Sequence, residues 1–498
     1  MNSLVLSLLA LAGYLLAYRL YGYYLGKRLF ALSNSNEMPA HTFNDGIDFV
    51  PTKRNIIFGH HFTTIAGLGP IVGPAIGIIW GWLPAFIWVF FGSIFMGAVH
   101  DFTTLVISAR TKGRSIGELT GEIMGPSTRY ALQFIMQLLL FIVLAVFAMI
   151  VSSLLYMYPE SVLPVWLQIP IAVWLGWEIR RGKNERLYSL IALVLMYASV
   201  FLGLLLPIHL PGSKELVIVT WCVILFIYVF FASTIPVHKL LQPRDYINSN
   251  QLLVAMLLLV AGLAVAHPVL TAPAVNTAAF SPESGNPAIA PMIFIVIACG
   301  AISGFHALAS SGTTVKQVDR EKDTLFIGYG GMILESFLAV LVLMAIGGGL
   351  GMGFTENGTY YSGREAYFHQ YASWNSANGL SAKLNAFING SANLFAAVGI
   401  PLKAGKAMVA VFIVSFANTT LDSAARIQRI SLQEIFTRKN RSMVRPFSNR
   451  YFSTFLVVAC AALLTFFKPG GQGAMVLWPL FGSLNQLMAA LALGVVTV

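Results

Sequence analysis

Charge is scarce in this sequence. Asp, Glu, Lys and Arg make up 10% of the 498 residues, while 57% are hydrophobic; soluble domains carry roughly 25% charged residues. No ordinary soluble core absorbs so many long apolar runs, so the chain reads as an all-α integral membrane protein. The runs are continuous rather than alternating, which excludes a transmembrane β-barrel. Cysteine is nearly absent. Cys222, Cys299 and Cys460 all lie in apolar segments, so neither a disulfide framework nor a clustered metal motif is expected. The sequence has no P-loop, no G-x-G-x-x-G after a strand and no nucleophile elbow. That argues against ATP hydrolysis and against an enzyme, and no cofactor is called for. With no soluble domain, low-complexity tract or heptad repeat, the function must reside in the membrane.

What is present is a series of apolar stretches of membrane-spanning length. Thirteen spans are expected, at 3–26, 57–80, 83–108, 130–157, 162–179, 187–209, 216–236, 251–268, 290–315, 325–350, 404–424, 451–467 and 474–496, forming one polytopic domain over 1–498. The first lacks a basic n-region and reads as a span rather than a signal peptide. With the N-terminus outside, the inner loops 27–56, 109–129, 180–186, 237–250, 316–324 and 425–450 hold 24 of the 31 Lys and Arg residues, and the outer segments hold six. This is the positive-inside bias. It places the C-terminus in the cytoplasm and accounts for the net charge of +11 by topology, without a nucleic-acid partner. The basic loop 425–450 is expected to meet anionic lipid. The longest loop, 351–386, falls outside, and 384–402 is expected to be an amphipathic surface helix.

The stretch Phe58 to Pro74, FGHHFTTIAGLGPIVGP, sits where a span should be but is rich in helix weakeners. Lipid forbids unsatisfied backbone, so a weak helix there leans on protein or lines a watery path. It reads as a broken helix of the kind transporters use. Its G-x-H-x5-G pattern at Gly59, His61 and Gly67 recurs at Gly304, His306 and Gly312, an offset of 245 residues. The two spans have opposite polarity, as an inverted repeat requires. His60, His61, Gly67, Gly69, His306, Ser310, Ser311, Gly312 and Thr313 are therefore expected to line a substrate or ion path, joined by Asn418 and Thr419.

Ionisable groups at membrane depth are costly and mark function by default. Glu335, in GMILESFLAV, lies far from either end of its span and is expected to carry protons or to pair with His61 or His306. Asp101 and Asp422 are candidates for the same coupling, although Asp422 and Arg426, spaced i, i+4, are also placed to pair with each other. The histidines match no compact metal motif, so no metal is expected.

At these residues the sequence resembles the carbon starvation protein A family. The motifs that carry the resemblance are KRNIIFGHHFTTIAGLGPIVGP (53–74), GAVHDFTTLVISARTKGRSIGEL (97–119), CGAISGFHALASSGTT (299–314) and NTTLDSAARIQR (418–429). The resemblance implies a bacterial inner-membrane carrier of the leucine-transporter-like superfamily, taking up peptides during carbon starvation or pyruvate with protons. It supplies no agreed site residues. The expectation is a secondary transporter importing a small organic nutrient, peptide first and pyruvate second, coupled to a proton or another cation. A haem or redox protein and a passive channel are the alternatives from other classes.

Overall fold

The computed structural model describes residues 2–281, 284–374, 380–436 and 446–497. Among them, ten helices are long and apolar enough to cross a membrane, and Arg54–Ile65 with Gly69–Trp80 form an eleventh, bent by 41°. The other two expected spans also fall on helix. One is the split pair Ile289–Val296 and Gly304–Gly312, and the other is the 17-residue Arg450–Phe466. The chain is an all-α membrane protein built round two broken helices.

The first break follows from its sequence. Ala66 leaves helical geometry at ψ 43°, and Pro70 suits the opening turn of the next helix, where no amide partner is needed. The second break spans residues 297–303. Glycine lets the two cross closely: a Cβ on Gly73 would lie 2.7 Å from the Val296 carbonyl oxygen, and one on Gly69 would lie 2.3 Å from Cys299 Sγ. Gly69–Gly77 thus lies beside the end of Ile289–Val296, while His61 on Arg54–Ile65 bonds Thr314, just after Gly304–Gly312. The two broken helices run antiparallel. The break comes after His61 but before His306, so the 245-residue offset does not align the breaks. The two motifs meet because antiparallel chains bring both histidines to the same half of the molecule.

Three helices form the centre. In their most apolar windows Leu325–Met352 is 94% buried, Leu402–Ile435 89% and Pro126–Met157 83%, against 28% for Ser3–Leu29 and 33% for Glu185–Leu205. Two π-helical turns, Ser93–Gly97 and Leu325–Tyr329, precede the ionisable residues of their spans, and Tyr329 Oη donates to the Ile94 carbonyl at 3.3 Å. Such turns recur at functional sites.

Four expectations need correction. Residues 241–250 are not loop: the helix Leu241–Ala266 includes them, with Arg244 buried. Leu402–Ile435 runs well past 424, so Arg426 and Arg429 are helical and buried, gripping Asp48 at 2.6 and 2.9 Å. Burial pushes the Asp48 carboxyl up, but Arg429, Arg426 and Lys316 outweigh it and hold Asp48 below the usual carboxylate range. Residues 437–445 of the basic loop lie outside the described residues. The loop 351–386 contains a hairpin, Phe354–Glu356 with Thr359–Tyr361, whose Asn357-Gly358 turn has positive φ at both residues, followed by the helix Gly363–Gln370. Finally, 384–402 is no surface helix. Leu380–Ala397 packs inward with Phe387, Ile388, Leu394 and Phe395 buried.

Lys383 is buried with that helix, 4.0 Å over the Tyr371 ring. Burial pushes its ammonium down to about 7. Between there and the ordinary lysine range the unfolded chain keeps a proton that the folded chain releases, so this group's contribution to stability rises with pH across that window. Lys383→Met is therefore expected to stabilise the protein by about 1 kcal/mol or more at pH 6, with the gain shrinking towards pH 9.5. Thermal unfolding in detergent at the two pH values tests this, and a pH-independent gain would contradict it.

Candidate functional site

The second half of Trp82–Arg110, the helix Gly304–Gly312 and the middle of Gly330–Met344 bring a fully buried titratable cluster together. Asp101 sits between two imidazoles: His100 Nδ1 lies 2.8 Å from one carboxylate oxygen and His306 Nδ1 2.9 Å from the other. With Asp101 ionised, both Nδ1 atoms carry hydrogen. The free nitrogen of His306, Nε2, then lies 3.3 Å from Glu335 Oε2. Two bare acceptors at that distance repel, and one shared proton turns the contact into an attraction. Glu335 Oε1 has no hydrogen-bond partner among the described residues. His61 completes the group. Its Nδ1 bonds Thr314 Oγ1 at 2.9 Å, and its ring edge faces Gly331, one turn from Glu335 on the same helix face. Among the described residues no Lys or Arg forms an ion pair with this cluster. Bare carboxylates here would leave buried negative charge uncompensated, which is costly, and a bound proton or cation would relieve that cost.

A second network lies one residue away on the first broken helix. Adjacent residues on a helix point about 100° apart, and His60 accordingly faces elsewhere, with its Nδ1 2.5 Å from Asp245. Arg244 grips Asp245 at 2.6 Å and Asp422 at 3.0 Å, and donates to Tyr228 Oη at 2.6 Å. Tyr228 in turn donates to Asp422 at 3.0 Å. This corrects the expected Asp422–Arg426 pair: Asp422 belongs to Arg244, while Arg426 reaches Asp48. Three spans meet at one guanidinium, whose rigid fork suits two carboxylates, and a fourth, Arg54–Ile65, joins them through His60 and Asp245.

Between the breaks lies a cavity of about 180 Å³, its walls including Gly69, Gly73, Cys299, Trp374, Trp478 and Phe481. Among the described residues the backbone amides of Gly69, Ala298 and Cys299, which also line it, donate to no other group. The rest of the second break is held by side chains. Trp88 Nε1 donates to the Ile297 carbonyl at 2.9 Å and Ser336 Oγ to the Gly300 carbonyl at 2.9 Å. Asn485 Oδ1 accepts from the Phe305 amide at 2.9 Å.

The structure thus gathers His61, His306, Asp101 and Glu335, and sets His60 and Asp422 in the neighbouring network. Gly69 lines the cavity. Thr419 accepts from Asn248 at 2.8 Å, and Ser311 Oγ accepts from the Ile116 amide at 3.1 Å. Thr313 Oγ1 turns back to the Ala309 carbonyl of its own helix. Ser310 Oγ and Asn418 Oδ1 are buried without a partner among the described residues. Gly67 abuts the Thr420 side chain, and Gly312 only the flexible Ile427 side chain, at 3.2 Å from an added Cβ. Close approach to backbone therefore belongs to Gly73, not to Gly312. Gly73→Ala is expected to abolish transport and Gly312→Ala to leave it within about twofold of wild type, since only the former drives a Cβ into a carbonyl. Comparing uptake of the two variants at matched protein levels tests this.

Sequence reasoning missed Arg244, Asp245, Tyr228, Thr314, Ser336 and Asn485 as parts of the site. A signal existed for the first. Arg244, Asn248 and Gln251 recur at helical spacing, a polar stripe running into an apolar helix.

The chain matches the family described as carbon starvation protein CstA over residues 2–355 and 364–498. It is 32% identical to the peptide transporter CstA of Campylobacter jejuni, over 99% of this chain and 75% of that relative. It is 34% identical to the peptide transporter CstA of Mycobacterium tuberculosis, over 97% and 69%. With the pyruvate/proton symporter BtsT of Escherichia coli it shares 39% identity over 67% of this chain and 47% of that protein. Among solved structures it aligns with MhsT in complex with L-phenylalanine at a TM-score of 0.49 and 12% identity, over 90% of this chain and 92% of the other, a loose likeness.

Proposed function

This chain belongs to the carbon starvation protein CstA family, and from that premise we propose that it is a proton-coupled secondary transporter importing a small carboxylate-bearing nutrient. The observation that carries this reading is the buried Asp101–His306–Glu335 chain, with no Lys or Arg among the described residues paired to neutralise it. With both carboxylates bare and the imidazoles neutral it would hold two negative charges, and each bound proton removes one. Proton occupancy therefore sets the charge packed against His306, on the helix that follows the second break.

The cavity between the breaks is the substrate site in this reading. The unpaired amides of Gly69, Ala298 and Cys299 supply donors for a carboxylate, aided by the positive N-terminal end of Gly69–Gly77. The aromatic walls suit an apolar side chain, which favours a small peptide. The identity with BtsT favours pyruvate as the second reading. We place the protein in the bacterial inner membrane with the N-terminus outside and the C-terminus cytoplasmic. The basic bias supports this orientation even with Arg244, Lys316, Arg426 and Arg429 removed from the loop count as buried residues.

The test is uptake of pyruvate and of dialanine into proteoliposomes under an imposed pH gradient, with a sodium gradient as the comparison. Accumulation above equilibrium that a protonophore collapses is expected. Uptake that never exceeds equilibrium, or that follows sodium alone, would sink the reading.

A further inference from the structure

Asn485 stands between the cavity and the helix that carries His306, touching the Cys299 wall of the one and the first turn of the other. It lies on Gly473–Thr497, the helix whose Trp478 and Phe481 wall the cavity, and its side chain is fully buried. Nδ2 lies 3.6 Å from Sγ of the cavity-lining Cys299 and donates to Ser303 Oγ at 3.1 Å. Oδ1 accepts from the Phe305 amide at 2.9 Å, capping the helix whose next residue is His306. A Cβ on Gly304 would meet the Asn485 carbonyl at 2.4 Å, so the two backbones touch where this helix begins. On the opposite side the same break is held by Ser336, the neighbour of Glu335. Whatever occupies the cavity against Cys299 therefore presses on a side chain that fixes the start of the His306 helix.

We propose that Asn485 is the positioning residue that couples substrate in the cavity to the proton held between His306 and Glu335. This rests on the proton-coupled reading above. An empty cavity leaves the Asn485 amide free to hold the His306 helix where Nε2 meets Glu335. A substrate displacing Cys299 shifts the cap, and the His306–Glu335 distance with it.

The charged surroundings leave this route to the cluster itself. Asp101, His100 and His61 face the pair from their helices, and the neutral Cys299 thiol lies nearby. Tyr14, buried on the first span with no hydrogen-bond partner for its hydroxyl among the described residues, lies near Ser336. On Leu402–Ile435, Asp422 and Arg426 are engaged by Arg244 and Asp48, and Glu118 on Ile116–Ile123 faces Glu434 and Lys316. The Gly473–Thr497 helix carries no charged residue.

The experiment compares wild type, Asn485→Ala and Asn485→Asp in proteoliposomes, using pyruvate and dialanine as probes. It reads substrate exchange, accumulation under a pH gradient and the pH profile of uptake. Asn485→Ala is expected to lose about tenfold or more of the accumulation while exchange falls no more than about threefold. Asn485→Asp keeps the acceptor for Phe305 and the shape of the side chain, and adds a negative charge beside the cluster. Its uptake profile is expected to move to higher pH by about half a unit or more, because a nearby like charge favours the protonated form. A purely structural Asn485 would lower exchange and accumulation together, and that result overturns the inference. Should Asn485→Ala fail to fold, Asn485→Asp decides by the same comparison: accumulation falling several-fold further than exchange supports the inference, and equal falls overturn it. If the wild type accumulates neither probe under a pH gradient, the transport reading itself falls and takes this inference with it.

Discussion

Glu335→Gln is expected to fold, to reach the membrane and to exchange substrate, yet to lose about tenfold or more of the accumulation driven by a pH gradient, tenfold being about 1.4 kcal/mol of coupling. The reason lies in one contact. Gln keeps the shape of Glu335 and can donate its amide hydrogen to His306 Nε2, 3.3 Å away in the native pair, so the packing survives. It cannot release or accept a proton at membrane pH. An ionised carboxylate at mid-helix costs about 2.5–3.5 kcal/mol even on the mild insertion scales, so losing the charge also removes a standing expense to the fold. If Glu335 were only a bonding partner, Gln would preserve both activities, and unchanged concentrative uptake would remove it from the mechanism.

Arg244→Met is expected to act on the fold instead. Asp245 and Asp422 would lose the guanidinium that, alone among the described residues, holds both. Breaking a buried pair by removing one partner costs about 3–5 kcal/mol, a large share of a typical stability of about 5–15 kcal/mol. Yield of monodisperse protein after detergent extraction should fall sharply. The double variant Arg244→Met/Asp422→Leu should recover part of it, because removing both charges is far cheaper than stranding one. Normal yield and melting temperature in the single variant would show that the network is not what ties these four spans.

The spans were legible because continuous apolar length has one physical meaning in a membrane protein, and each of the thirteen stretches falls on helix. The breaks were legible as well, since glycine and proline at membrane depth must be sheltered by protein. Glu335 stood out as a charge far from either end of its span, and Asp101 as a carboxylate beside a histidine in a long apolar helix. What the sequence hid was pairing. Arg244 and Asp245 precede the apolar part of their helix and look like loop, and only the fold reveals that carboxylates on distant spans close round them. Asp422 and Arg426 are correctly spaced to bond each other, yet each finds a better-oriented partner elsewhere, and tertiary geometry overrides an i, i+4 preference worth only a few tenths of a kcal/mol. Asn485 was invisible for a related reason. A lone Asn in an apolar helix gives no hint that a helix N-terminus 180 residues earlier in the chain needs its carbonyl oxygen.

The most direct measurement follows protons, not substrate. Wild-type protein is reconstituted in liposomes holding a trapped pH indicator, with no gradient imposed, and pyruvate or dialanine is added outside. The account predicts acidification of the lumen that tracks substrate entry, and its loss in Glu335→Gln while labelled exchange continues. Substrate entry with no pH change in wild type, or full acidification in Glu335→Gln, would contradict it.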